Sequence, residues 1–186
     1  MNGVPGIRLQ VGPMHGHLKR HDLRILAQIT RALPRWKSLD NTTNFMVNRE
    51  TMAVPFIACM ALTATVYHLP PRVLPSIQAV EGGRPGVVHV NSDGSEDLGV
   101  MQINQLWIGP LARRTRLPDT VVHDRLLSDP CFNIAAAGLI MRTFLNETKG
   151  DLMRAVGNYH SHTPIRNFDY QAKVLDAART IFASRM

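Results

Sequence analysis

The chain is poor in cysteine and in aromatic rings, and it has no long unbroken apolar run. Only two cysteines, Cys59 and Cys131, occur in 186 residues, and neither belongs to a CxxC pair. That argues against a thiolate metal site and leaves two readings open, free core-filling thiols or one bridge. Aromatic residues make up 6% of the chain, yet a hydrophobic fraction of 45% suffices for a real core. The length suits one domain with a tail. No stretch reaches the roughly 18–20 uncharged apolar residues of a membrane span, so no stable span is expected. The nearest, "AVPFIACMALTATVYHLP", carries no charge but is interrupted by Pro55. It also reads as a signal-peptide core, with Met46 or Met52 as a start and Arg49 as the positive flank. The N-terminus, "MNGVPGIRLQVGPMHGHLKRH", has glycine and proline where an export signal needs an apolar core. An export signal is therefore not clear. Repeats and low-complexity segments are also missing.

Acidic residues are scarce at the N-terminus. Residues 1–50 hold eight Lys and Arg against three Asp and Glu, so five of the seven net positive charges lie there. Such a surface suits an anionic partner, whether nucleic acid, anionic lipid or an acidic polymer, and charge alone does not choose among them. Residues 1–50 read as a basic extension, partly disordered or signal-like, ahead of a domain at residues 51–186. Within the extension, "KRHDLRILAQITRALPRW" puts Leu23, Leu26, Ile29 and Leu33 on one helical face. His15, His17 and His21 lack an acidic or cysteine partner, so no metal site is expected.

From Pro55 the pattern becomes helical. "PFIACMALTATVYHL" reads as a first helix, with Pro55 tolerated in its first turn. "RVLPSIQAVE" reads as a second, stopped by "GGRPG". The polar, turn-rich residues 84–97 contain a β-prone "VVHV" that fits a small hairpin. "LGVMQINQLWIGPLARRT" is expected to begin a third helix. "SDPCFNIAAAGLIMRTFLNET" gives a fourth, capped by Ser128 or Asp129 and closed by Lys149-Gly150. "DLMRAVGNYHS" and "FDYQAKVLDAARTIFASR" are the last two. The expected fold is mainly α, with a short irregular or β-like insertion between helices two and three.

One carboxylate is oddly placed. Glu81 ends an apolar helix and is followed at once by two glycines. The negative end of a helix dipole disfavours the carboxylate anion, and desolvation by apolar neighbours acts the same way. A glutamate with a raised pKa holds a proton near neutral pH, as a general acid for a glycosidic oxygen must. On position alone, a solvated helix-end residue is the simpler reading.

The spacing of four motifs adds to this. "CMALTATVYHLPPRVLPSIQAVEGG", "DLGVMQIN", "DPCFNI" and "AVGNYHS" together resemble the peptidoglycan lytic transglycosylases with a lysozyme-like, soluble-lytic-transglycosylase domain. The small members that accompany conjugation and type III or type IV secretion systems are the most similar. In them a Cys opens the first helix and a Tyr closes it eight residues later, as Cys59 and Tyr67 do here. The catalytic Glu follows fourteen residues on, as Glu81 does. An "N-x-DGS-x-D" loop leads into a "GLMQIN"-type segment, here "LGVMQIN", with Trp107 shortly after. The resemblance runs from about residue 54 to 180 and leaves residues 1–50 uncovered. Three positions depart from the pattern. Gly82 replaces the usual Ser after the acid, and the tyrosine motif reads Tyr159, His160, Ser161, His162, without its asparagine and glycine.

The resemblance implies a lysozyme-like helical domain that cleaves the β-1,4 bond between N-acetylmuramic acid and N-acetylglucosamine without water. It implies Glu81 as the catalytic residue. Gln102, Met101, Asn104 and Tyr159 are then the candidate substrate-binding residues, and Cys59 and Cys131 a disulfide. The muramic acid 6-hydroxyl acts as internal nucleophile, so no second carboxylate is required; Asp93, Glu96 and Asp97 are the candidates if water is used instead. The implied partners are peptidoglycan glycan strands and a secretion or conjugation apparatus. The implied location is the periplasm; cofactors and nucleic acid are not expected. The rival readings are a muramidase-type hydrolase and a catalytically weak glycan-binding module.

Overall fold

The structure, a computed structural model, describes residues 56–183. The basic extension, its amphipathic stretch, His15, His17 and His21, and the domain boundary at residue 51 lie outside the described residues.

Helix α1 is Ile57–Val66 and α2 is Val73–Glu81. Three short strands follow, β1 Val88–Val90, β2 Glu96–Leu98 and β3 Ile103–Asn104, and then a 3-10 turn at Gln105–Trp107. The remaining helices are α3 Ile108–Thr115, α4 Asp119–Ser128, α5 Pro130–Glu147, α6 Leu152–His160 and α7 Pro164–Phe182. The fold is mainly α with a small β insertion, as the helical patterning and the turn-rich segment imply. No described helix is long and apolar enough to cross a membrane.

Helix α5 is the centre of the packing. Eleven of its residues, Phe132 to Met141 and Phe144, are buried, and a helix that is apolar on nearly every side belongs in the interior. It starts cleanly because Asp129 accepts from the Phe132 N–H at 3.1 Å and Pro130 occupies the first turn. Helix α1 lies close against it. A Cβ on Gly138 would stand 2.2 Å from the Thr63 methyl and 2.7 Å from the Tyr67 ring, so only glycine permits this approach. Cys59 of α1 is bridged to Cys131 in the first turn of α5, with the Cα atoms 5.4 Å apart.

The three strands form one antiparallel sheet in the order β1-β2-β3, with Val88 opposite Leu98 and Asp97 opposite Asn104. The hairpin turns at Gly94, φ 81°, where Asp93 accepts from the Ser95 backbone at 3.0 Å and its hydroxyl at 2.7 Å.

Here the chain departs from the expected third helix. Residues 98–107 are a strand end, a turn, a strand and a 3-10 turn; helix α3 begins only at Ile108. Two residues of the turn, Gly99 at φ 69° and Gln102 at φ 48°, are left-handed, which an α-helix cannot contain. A buried side chain holds the turn from outside. Asn133, fully buried on α5, accepts from the Met101 N–H at 2.8 Å and donates to the carbonyls of Leu98 and Leu126 at 2.8 and 2.7 Å. Helix α4 is a further helix, absent from the patterns read above.

Candidate active site

Glu81 is the last residue of α2, and the two glycines after it have separate tasks. Gly82 takes the left-handed conformation that ends the helix, φ 62°, with its N–H on the Gln78 carbonyl at 2.9 Å. Gly83 passes directly beneath the turn at residues 99–100. A Cβ there would lie 2.2 Å from the Gly99 carbonyl oxygen and 2.8 Å from that of Val100. On the other side, a Cβ on Gly99 would meet the Leu126 carbonyl at 2.2 Å and the Asn133 amide at 2.7 Å. The end of α2 is thereby set against the loop that carries Met101 and Gln102.

The Glu81 side chain is half-buried and accepts a hydrogen bond from the Tyr170 hydroxyl. Burial pushes its pKa from an ordinary 4.5 up to about 7; the Tyr170 hydrogen bond opposes the rise, the Asp97 carboxylate adds to it and Lys173 opposes it. Near neutral pH the carboxyl is therefore poised between its two protonation states, as a group that must give and then take a proton requires. Tyr170 is 4% exposed. Burial first, and then the neighbouring carboxylate, drive its own pKa upward, so it remains a donor throughout the working range.

The candidate binding residues divide. Gln102 is half-buried; its Nε2 donates to the Gly99 carbonyl at 2.8 Å, leaving its carbonyl oxygen as an acceptor. Tyr159 donates its hydroxyl to the Met101 carbonyl at 2.9 Å and keeps its ring half-exposed; burial raises the pKa of that hydroxyl, so it stays protonated. Met101 is different from expectation. Its side chain is 0% exposed and belongs to the core, so it does not line a sugar face; only its backbone joins the site. Asn104 also has its polar atoms engaged. Its Nδ2 donates to Asp97 at 2.8 Å and Ser95 at 3.2 Å, while its Oδ1 accepts from the Leu106 N–H at 3.0 Å. It holds β2 to the 3-10 turn instead of facing outward.

Of the three loop carboxylates, Asp97 is the one whose charge reaches Glu81. Its two oxygens accept from Asn91 at 3.0 Å and from Asn104 at 2.8 Å. Asp93 is bound within its own turn, which holds its carboxyl below the usual range.

Two side chains join the site without having been singled out as its members. Tyr170 lies 89 residues from Glu81 in the chain, and the available signal was the buried stripe Asn167, Tyr170, Val174 along α7. His160, noted only as a departure from the tyrosine motif, stacks flat on Tyr170, with ring centroids 4.9 Å apart and planes 8° from parallel.

Comparison with known proteins agrees in extent with this geometry. The family model described as "Transglycosylase SLT domain" matches residues 59–174, a span that begins at Cys59 and includes Glu81, Gln102, Tyr159 and Tyr170. Invasion protein IagB of Salmonella typhimurium is 27% identical over 116 residues, which is 62% of this chain and 69% of that protein. Protein IpgF of Shigella flexneri is 32% identical over 98 residues, 52% of this chain and 60% of that protein. IpgF of Shigella sonnei is 29% identical over 114 residues, 59% of this chain and 71% of that protein.

Proposed function

The chain belongs to the transglycosylase SLT domain family, and on that premise we propose that it is a peptidoglycan lytic transglycosylase with Glu81 as its single acid and base. The observation that carries the proposal is the Glu81 carboxyl itself, half-buried at a helix end, bonded to Tyr170 and with a pKa near 7.

In the proposed reaction Glu81 donates its proton to the bridging oxygen as the bond from carbon one of N-acetylmuramic acid to that oxygen breaks. The N-acetylglucosamine leaves as an alcohol. Glu81, now a carboxylate, takes the proton from the muramic acid 6-hydroxyl while oxygen six forms the new bond to carbon one. The product end is a 1,6-anhydro sugar, and Glu81 regains its starting proton. The attacking oxygen belongs to the substrate, so its effective concentration is high and no water has to be positioned. Tyr170 serves the carboxylate phase. Its hydrogen bond favours the anion, limiting how far burial raises the pKa. Asp97 works in the opposite sense and keeps the proton on Glu81 before cleavage.

Gln102 is proposed to present its free carbonyl oxygen to the glycan, and Tyr159 the face of its ring. Asn104 is assigned to positioning Asp97. The hydrolytic alternative needs Asp97 as a base for water; the amide donors of Asn91 and Asn104 stabilise its anion and so weaken it as a base, and the cyclisation is preferred.

The substrate lies outside the cytoplasmic membrane, so the proposal includes export, and an oxidising compartment suits the Cys59–Cys131 bridge. The name of IagB, an invasion protein, accords with a role in opening the wall locally for a secretion or conjugation apparatus. The test is clearing of peptidoglycan by the purified protein and by Glu81→Gln. The wild type is expected to clear it. The variant is expected to retain less than about a hundredth of the rate, since general acid–base catalysis contributes about 10²–10⁴-fold. Clearing by both proteins alike would end the assignment of Glu81.

A further inference from the structure

The last turn of α6 carries two adjacent rings that act on different parts of the site. Tyr159 is tied to the Met101 carbonyl, on the loop facing the end of α2. His160 turns the other way and lies on Tyr170, parallel within 8° at 4.9 Å. The backbone beneath them is fixed. A Cβ on Gly157 would stand 2.1 Å from the Asn167 side chain, and Asn167 donates to Asn158 at 2.8 Å and to the Ser161 carbonyl at 3.0 Å. Helix α6 and the start of α7 thus form one locked corner, and His160 projects from it at a set height over the Tyr170 ring.

We propose that His160 is a positioning residue for Glu81, acting through Tyr170. Rotation of a tyrosine ring about its long axis leaves the hydroxyl oxygen in place, so the soft motion that displaces it is tilt of the ring. The His160 ring stacked on one face of Tyr170 opposes that tilt. The hydroxyl is then kept in line with the Glu81 carboxyl as that group changes between acid and anion. Asparagine, which the resembling motif has at this position, offers no ring for such a stack, so the device belongs to this chain's own departure from the pattern. The neutral imidazole is the form that stacks without bringing a charge to the site. Burial lowers the pKa of His160, Lys173 and Arg166 on α7 lower it further, and Asp97 on β2 opposes them.

The role rests on the reading of Glu81 as the acid, and the experiment separates the two. The Glu81 carboxyl is titrated by carbon-13 NMR in the full chain without substrate, for the wild type, His160→Ala and His160→Phe. The kcat and KM for glycan cleavage are measured on the same proteins. Because the Tyr170 hydrogen bond lowers the Glu81 pKa, loosening it in His160→Ala should move the titration midpoint upward by about half a pH unit. The kcat should fall by about two- to tenfold, the range an aromatic pair of this kind supports, with KM little changed. His160→Phe keeps a flat ring and should restore both quantities. An unmoved or lowered midpoint in His160→Ala overturns the proposal, as does a His160→Phe protein that behaves like His160→Ala. If the midpoints move as expected while the wild type cleaves no peptidoglycan, the positioning role stands and the proposed function falls.

Discussion

Replacing Glu81 by glutamine should spare the folded protein the loss of stability that this group brings as pH rises from 4.5 through about 7. The folded-state pKa of about 7 lies well above the ordinary 4.5. Between those two values the native state holds a proton that the unfolded chain has lost, so stability falls as pH rises. The contribution of this group is fully present below 4.5 and is gone once the pH has passed through 7. The interval corresponds to about 3 kcal/mol, at 1.36 kcal/mol per pH unit. Glutamine keeps the shape and does not titrate. Urea unfolding of wild type and Glu81→Gln at constant ionic strength, at several pH values from about 4.5 to about 8, measures the difference directly. The gap should move in the variant's favour by about 3 kcal/mol across that range. Curves that run parallel throughout would refute the claim that Glu81 is desolvated in the folded protein.

Reduction of the Cys59–Cys131 bridge releases a constraint spanning 72 residues, worth about 4 kcal/mol in the chain-entropy model; calorimetry with and without reductant should show the melting temperature fall by about 10 °C or more. Gly83→Ala puts a methyl group into the Gly99 carbonyl, so it should destabilise the fold by more than about 2 kcal/mol and weaken cleavage in the fraction that folds. An unchanged unfolding midpoint would show that the two loops can separate freely. Gln102→Ala should lower turnover less than Glu81→Gln does, and a wild-type rate in that variant would assign Gln102 to holding its own turn alone.

What could be read in the residues and what could not divides along sequence distance. Helices α1, α2 and α5 carry local signals in apolar spacing, caps and glycine stops, and their expected extents are close to those observed. The helix-end carboxylate followed by two glycines was legible for the same reason. "LGVMQIN" misled because a short apolar run gives no period that separates a helix from a strand and turn. Its conformation is dictated by Asn133, 32 residues from Met101 in the chain, and no local rule reports such a clamp. Burial of Met101 follows from that clamp as well. Tyr170 was missed because a tyrosine on the inner face of a helix reads as core until its hydroxyl is seen to meet Glu81. The stack of His160 depends on the corner between α6 and α7, so only the packed structure reveals it.

If Glu81 drives an internal cyclisation, the ends of the cleaved strands report it most directly. Purified sacculi are digested with the full chain, and the released muropeptides are analysed by mass spectrometry. New muramic acid ends in the 1,6-anhydro form, each lighter by one water than the hydrolysed end, are expected, with at most about a hundredth as many formed by Glu81→Gln. Reducing ends from the wild-type protein would contradict the cyclisation and give Asp97 the task of activating water.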